Sequence, residues 1–386
     1  MNIPSLPAAS RPWSRASAID RVIDDAIDTG RIVGMVMIAA LDGAIVYRRA
    51  AGLADRESRR PVRSDDCFRL ASMTKAIVSV TALALVDLEV LRLEDPVTRW
   101  LPEFRPRLET GREPVITLHH LFTHSAGLTY GFLEAPDGPY HQLGISDGLD
   151  QAPVTLHENV RRIAAAPLLF EPGERWNYSV GVDVLGAVIE RATGSTLPEA
   201  VRKFVSEPLA MDSLEFVAPR ERFIVTAYAD AEPVPVRMSN PYRLSFVGGT
   251  IDYAPERAFD RNAFPSGGTG MVGDAIDYLR FLEAIRTGGA GVLEAATAAA
   301  MTRSALGELG PSPGCGFGLG VQVLADPVAA QTAMNPGSWS WGGVYGTHFW
   351  VDPAAALTVV VLTNTGLAGT FGEFPSALQR AAYPNT

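Results

Sequence analysis

The chain has 386 residues, 47% of them hydrophobic and 20% charged, with a formal net charge of −10. That length and apolar fraction exclude a disordered protein and leave material for one large domain or two closely joined ones. The acidic balance, without any basic run, argues against nucleic-acid binding and against attachment to an anionic membrane surface.

Residues 1–21 contain Pro4, Pro7 and Pro12 and then alternating charges, with no apolar core of the kind a secretory signal needs. No apolar stretch approaches bilayer length. Cys67 and Cys315 are the only cysteines, too few for a disulfide framework or a zinc site. A cytoplasmic protein is therefore expected.

In chain order, a first helix reads over Ser17–Thr29, with Ser17 and Asp20 as a capping box and Ile19, Val22, Ile23, Ala26 and Ile27 on one face. Val33–Leu41 and Ala44–Ala51 form a hairpin about Asp42-Gly43, a strong turn signal. A β-leaning segment, Cys67–Leu70, precedes a helical run over Ala76–Leu88. Further helices read over Leu156–Ala165, Val182–Ala192 and Leu197–Ser206, and Gly194 stops the second of these. Strands follow at Phe317–Leu324, Thr347–Val351 and Leu357–Asn364, with Asp352-Pro353 as a turn, and a last helix runs over Phe374–Ala382. Hairpins at both ends with little β-α-β alternation imply one antiparallel sheet built from both termini. The expected division is residues 1–90 with 255–386 as an α/β unit, and 91–254 as a mostly helical unit inserted into it. The active site would lie where the two meet.

Ser72-Met73-Thr74-Lys75 has the form S-x-x-K and opens the helix after Cys67–Leu70. Positions i and i+3 share a helical face, so the hydroxyl and the amine would be neighbours. A helix N-terminus offers free N–H groups and a positive dipole end, the surroundings a tetrahedral oxyanion needs. To accept the serine proton the amine must be neutral. Its pKa must then fall from about 10.4 to near 7, at a cost of roughly 4 kcal/mol. Lysine can do this and arginine cannot. Lys75 and Lys203 are the only lysines in a chain whose other basic residues are arginine.

The segments Phe68–Lys75, Leu93–Val97, Leu121–Leu128, Tyr178-Ser179-Val180 and Trp341-Gly342-Gly343 resemble, in order and spacing, the serine β-lactamase and penicillin-recognising superfamily. The chain looks most like the family VIII carboxylesterases. The resemblance implies an α+β fold of the β-lactamase/transpeptidase type, with an antiparallel sheet flanked by helices. It also implies a catalytic set of Ser72, Lys75 and Tyr178. Tyr178 follows Pro172-Gly173 and precedes a helix, so a phenol with lowered pKa could relay the proton. By the same resemblance the backbone amides of Ser72 and Val344 form an oxyanion hole. Trp341, Gly342 and Gly343 would contact substrate, and Tyr130 and Asp183 would line the pocket.

Trp341 stands where β-lactamases carry a cation, and Tyr178-Ser179-Val180 lacks their asparagine. Both departures favour neutral acyl esters. The implied activity is a serine carboxylesterase acting on small to medium esters, with acyl transfer as a second outcome and no metal or organic cofactor. A β-lactamase or D,D-peptidase and a non-catalytic ligand-binding relative are the alternatives. Acyl length, stereochemical preference and oligomeric state depend on loops 131–151 and 230–264, whose conformation the sequence does not provide.

Three other motifs compete. Gly144-Ile145-Ser146-Asp147-Gly148 satisfies G-x-S-x-G, and Asp274 or Asp277 followed by His348 completes the chain order of an α/β-hydrolase triad. The residues before Ser146 are loop, however, and an elbow needs a buried strand there. Pro265–Gly270 is glycine-rich, yet it lacks a lysine and reads as a structural turn near the cleft. His119, His120 and His124 cluster, but the first two are adjacent and point apart. His124 reads as a hydrogen-bonded structural residue.

Overall fold

The two ends of the chain pair with one another. A computed structural model describes residues 6–9, 13–218 and 221–384, so the reading of the extreme N-terminus at residues 1–5 and 10–12 lies outside the described residues. Helix α1 (Ala16–Asp28) leads into the hairpin β1 (Gly34–Leu41) and β2 (Ala44–Asp55), then β3 (Arg60–Pro61) and β4 (Phe68–Arg69). A 3₁₀ turn at Ala71–Met73 runs into α2 (Thr74–Asp87). Next come α3 (Leu118–Phe122), α4 (Pro139–Gln142), α5 (Leu156–Ala165), α6 (Gly181–Thr193) and α7 (Leu197–Val201). Two small hairpins follow, β5 (Tyr228–Ala229) with β6 (Val236–Arg237) and β7 (Tyr242–Phe246) with β8 (Gly249–Tyr253). The chain returns through β9 (Val272–Gly273), α8 (Ala275–Arg286) and α9 (Ala295–Met301). It closes with β10 (Cys315–Phe317), β11 (Gln322–Leu324), β12 (Trp339–Gly343), β13 (Thr347–Asp352), β14 (Leu357–Thr363) and α10 (Glu373–Ala382).

The main sheet has eight strands in the order β10-β11-β12-β13-β14-β1-β2-β3. The junction is β1 against β14, antiparallel from Met35↔Thr363 to Leu41↔Leu357. Side chains alternate across β1. Met35, Met37 and Ala39 enter a core with α1, α10, Trp350 and Val361, while Val36 and Ile38 enter the larger core with Phe281, Leu362 and the inserted helices. Burial on both faces explains the continuous apolar run Val359–Leu362 within β14. Helix α2 is buried on nearly every side and packs against α6, α7 and the turn 202–206.

Several expectations need correction. Helix α1 starts one residue early, with Arg15 at its N-cap and no side-chain cap. Asp20 is drawn instead to the Tyr47 hydroxyl and Arg49, both at 2.7 Å. The run 317–324 is two strands broken at Gly318–Gly320, because a Cβ on Gly320 would overlap the Ser79 side chain on α2. The helix expected to reach Ser206 gives way to a π turn at Arg202–Ser206. Loop 230–264 carries the hairpin β7–β8, whose alternation of half-buried and exposed residues is too short to stand out in sequence.

Candidate active site

Strand β4 pairs with β9 and delivers the chain to Ala71, whose φ of 44° lies in the left-handed region. For alanine that conformation costs roughly 1–2 kcal/mol, and it turns the backbone sharply before Ser72. The start of α2 is then clamped: Thr74 Oγ1 accepts from the Met271 amide at 3.1 Å, and the Tyr278 hydroxyl donates to the Met73 carbonyl at 2.8 Å. Ser72 is thereby fixed at the floor of a cavity of about 420 Å³.

One helical turn on, Lys75 Nζ lies 3.2 Å from Ser72 Oγ and donates to the Gly268 carbonyl at 2.7 Å. The lysine is fully buried. Desolvation brings its pKa from 10.5 down to about 7, against the pull of the Asp183 and Asp147 carboxylates. That depression corresponds to about 5 kcal/mol favouring the neutral amine. Lys203, the other lysine, is on the surface.

Tyr178 arrives on the loop before α6, and its hydroxyl donates to Ser72 Oγ at 2.5 Å. Asn177 braces this loop by donating to the Leu128 carbonyl at 2.8 Å, and the His124 ring meets Tyr178 edge-on at 4.9 Å. A lowered phenol pKa was the expectation, and here the structure differs. Burial pushes it up, and the neighbouring Ser72 hydroxyl and Trp341 indole only partly offset that. The phenol is a proton donor at rest, and the lysine is the group poised to be neutral.

The far wall is β12. A Cβ on Gly343 would overlap the Leu70 carbonyl and lie 3.1 Å from Ala71 Cβ, so this glycine lets the strand end lie against the Ser72 turn. That close approach is what the structure shows for Gly343. Val344 follows on the cavity wall with Ser72, Trp341 and Gly342. Neither the Ser72 nor the Val344 amide donates a backbone hydrogen bond, and both residues line the same cavity.

Tyr130 and Asp183 are placed differently from expectation. Both are fully buried behind Lys75 and off the cavity wall. Asp183 accepts from Ser266 Oγ at 2.7 Å and from the Gly268 amide at 3.3 Å, and so shapes the turn that receives the lysine. The glycine-rich run 265–270 is that turn, and its Gly268 carbonyl is a site atom that side-chain reasoning passes over. Sequence reading also missed Phe132, Trp176, Phe246, Val247 and Phe371 on the wall, because they come from loops distant in sequence.

The rival motifs do not assemble. Ser146 bonds Asp150 and receives the Gly148 amide at 3.0 Å, while His348 Nδ1 meets the Gly369 carbonyl at 2.8 Å. Asp274 pairs with Arg222, and Asp277 receives Ser213. His124 Nδ1 bonds Ser179 Oγ at 3.1 Å, and His120 caps α3. Among the described residues no group of three His, Cys, Asp or Glu side chains is arranged to hold a metal ion.

The profile of the family described as Beta-lactamase matches residues 19–382. Esterase EstB of Burkholderia gladioli is 49% identical over 384 residues, which is 98% of this chain and 97% of that protein. A lovastatin esterase of Penicillium rubens is 28% identical over 374 residues, 86% of this chain and 89% of its own. The solved structure of "EstCE1, a hydrolase with promiscuous acyltransferase activity" is 42% identical and superimposes with a TM-score of 0.92, covering 96% of this chain and 99% of that one. The chain belongs to the beta-lactamase family, in its family VIII carboxylesterase branch.

Proposed function

We propose that the protein is a serine carboxylesterase that hydrolyses small to medium, short-chain esters through an acyl-enzyme on Ser72. One observation carries this reading. Ser72 Oγ sits between a buried amine at 3.2 Å and a phenol at 2.5 Å, on the floor of an apolar cavity. Neutral Lys75 takes the Ser72 proton as Oγ attacks the ester carbonyl carbon. The amides of Ser72 and Val344 receive the oxyanion. Collapse breaks the bond to the alcohol oxygen, which leaves with a proton from the Tyr178–Lys75 pair. Water then repeats the sequence to release the acid, and a second alcohol in its place gives acyl transfer.

Trp341 and the missing asparagine weigh against β-lactams, and the intact Ser–Lys–Tyr set weighs against a non-catalytic relative. Turnover of nitrocefin far above that of esters would favour the first rival. Failure to form an adduct with a serine-directed phosphonate would favour the second. A cytoplasmic location draws support from two free, buried cysteines. We divide the chain into 1–90 with 255–386 around 91–254, a division that assigns Ser72 to one unit and Tyr178 to the other.

The test is hydrolysis of p-nitrophenyl acetate and butyrate. Ser72→Ala and Lys75→Ala are expected to lose at least about 10³-fold in kcat, while Ser146→Ala stays within a few-fold of wild type. A dead Ser146→Ala with an active Ser72→Ala would replace this mechanism by an α/β-hydrolase one.

A further inference from the structure

Hairpin β7–β8 closes through a two-residue loop, Val247-Gly248, between the paired Phe246 and Gly249. Both loop residues have positive φ, 46° and 84°. Such a turn favours Asn-Gly, and a β-branched residue there is strained. Val247 is also 75% exposed, and Phe371, which lines the same cavity, is 52% exposed. A strained valine exposed at a hairpin tip gains little for the folded state. Both side chains, however, border the cavity above Ser72.

Behind them runs a ladder of rings. Phe371 meets Phe246 at 6.2 Å, Phe246 meets Phe132 at 5.9 Å, and Phe132 meets Tyr178 at 6.4 Å. The hairpin is pressed onto this ladder, since a Cβ on Gly249 would overlap the Phe132 carbonyl. The wall therefore leads without a polar break from the solvent to the phenol at the reacting centre.

We propose that Val247, Phe246, Phe371 and Phe132 form a specificity wall that selects esters bearing a bulky apolar group, an aryl or arylalkyl group above all. This rests on the serine esterase reading and narrows its substrate class. Ring centroids spaced by 4.5–7 Å suit edge-to-face and offset stacking, worth about fivefold in affinity per pair beyond area burial. A rigid ring also loses less rotational freedom on binding than a linear chain of equal size. Strain kept at a loop tip on the cavity rim is then explained by function.

The experiment measures kcat and KM in two arms. The acyl arm compares p-nitrophenyl 3-phenylpropanoate with p-nitrophenyl acetate. The alcohol arm compares 2-phenylethyl acetate with ethyl acetate. Wild type should prefer the arylalkyl ester about tenfold or more in at least one arm. Val247→Asn should raise the melting temperature by roughly 2 °C, because asparagine tolerates the left-handed turn. The same change should lower the preference several-fold, mainly through KM. Phe371→Ala should lower it too, and Phe371→Trp should restore it. Ratios near one in both arms, or either Val247→Asn or Phe371→Ala leaving the ratio unchanged, overturn the proposal. Ser72→Ala on p-nitrophenyl acetate separates the two readings: if that variant is inactive while the ratios are flat, only the wall is wrong.

Discussion

Lys75 works because the fold gives its amine no directly bonded carboxylate and buries it fully. Its donors meet only Ser72 Oγ and the Gly268 carbonyl, and desolvation sets its pKa at about 7. The active form is the neutral amine, so kcat/KM should fall about tenfold per pH unit below pH 7 and level off above it. Tyr178, pushed up by burial, adds no loss of activity at mildly alkaline pH. A pH profile on p-nitrophenyl butyrate checks this, and an activity maximum near pH 5 would contradict it. Lys75→Arg should abolish turnover, since a guanidinium stays protonated. At this scale Ser72 and Lys75 were legible, because three-residue spacing on a helix is local geometry. The protonation preference of Tyr178 was not, since it depends on the rings and indole of distant segments.

Strand β12 shows what an element contributes beyond its side chains. Gly343 permits contact with the Leu70-Ala71 turn, and that contact sets where the Val344 amide lies relative to Ser72. Gly343→Ala should push the strand end outward. The expected result is a kcat loss of about 10²-fold, as for a missing oxyanion donor, with destabilisation of about 2 kcal/mol from overpacking. Stopped-flow acylation and thermal unfolding read the two effects separately. Most long elements were readable from periodicity, including α5, α6 and the β1–β2 hairpin. Elements of two to five residues, such as β7 and β8, carry too little pattern to be seen. The break at Gly318–Gly320 was hidden because it shows in the positive φ of Gly320 and its close approach to Ser79 on α2, neither of which a sequence pattern displays.

Across the whole molecule, the last long strand lies between β13 and β1. Deleting residues 357–384 would unpair both neighbours and uncover the core shared by α1 and α10. Such a truncation should yield no soluble folded protein, checked by circular dichroism and size-exclusion chromatography, and a folded, monomeric fragment would refute the account. The joining of both termini into one sheet was readable, since hairpin and strand patterns at each end leave few other ways to bury their apolar faces. By itself the sequence determined the Ser72–Lys75 pair, the family resemblance and the outline of the sheet, all of which follow from short-range periodicity and motif order. Only the tertiary structure decided the neutral amine, the burial of Tyr130 and Asp183 behind Lys75, the close approach of Gly343 to the Ser72 turn, and the aromatic wall above Ser72. Those depend on burial and on contacts between segments distant in sequence, and no local pattern encodes a dielectric or a distance.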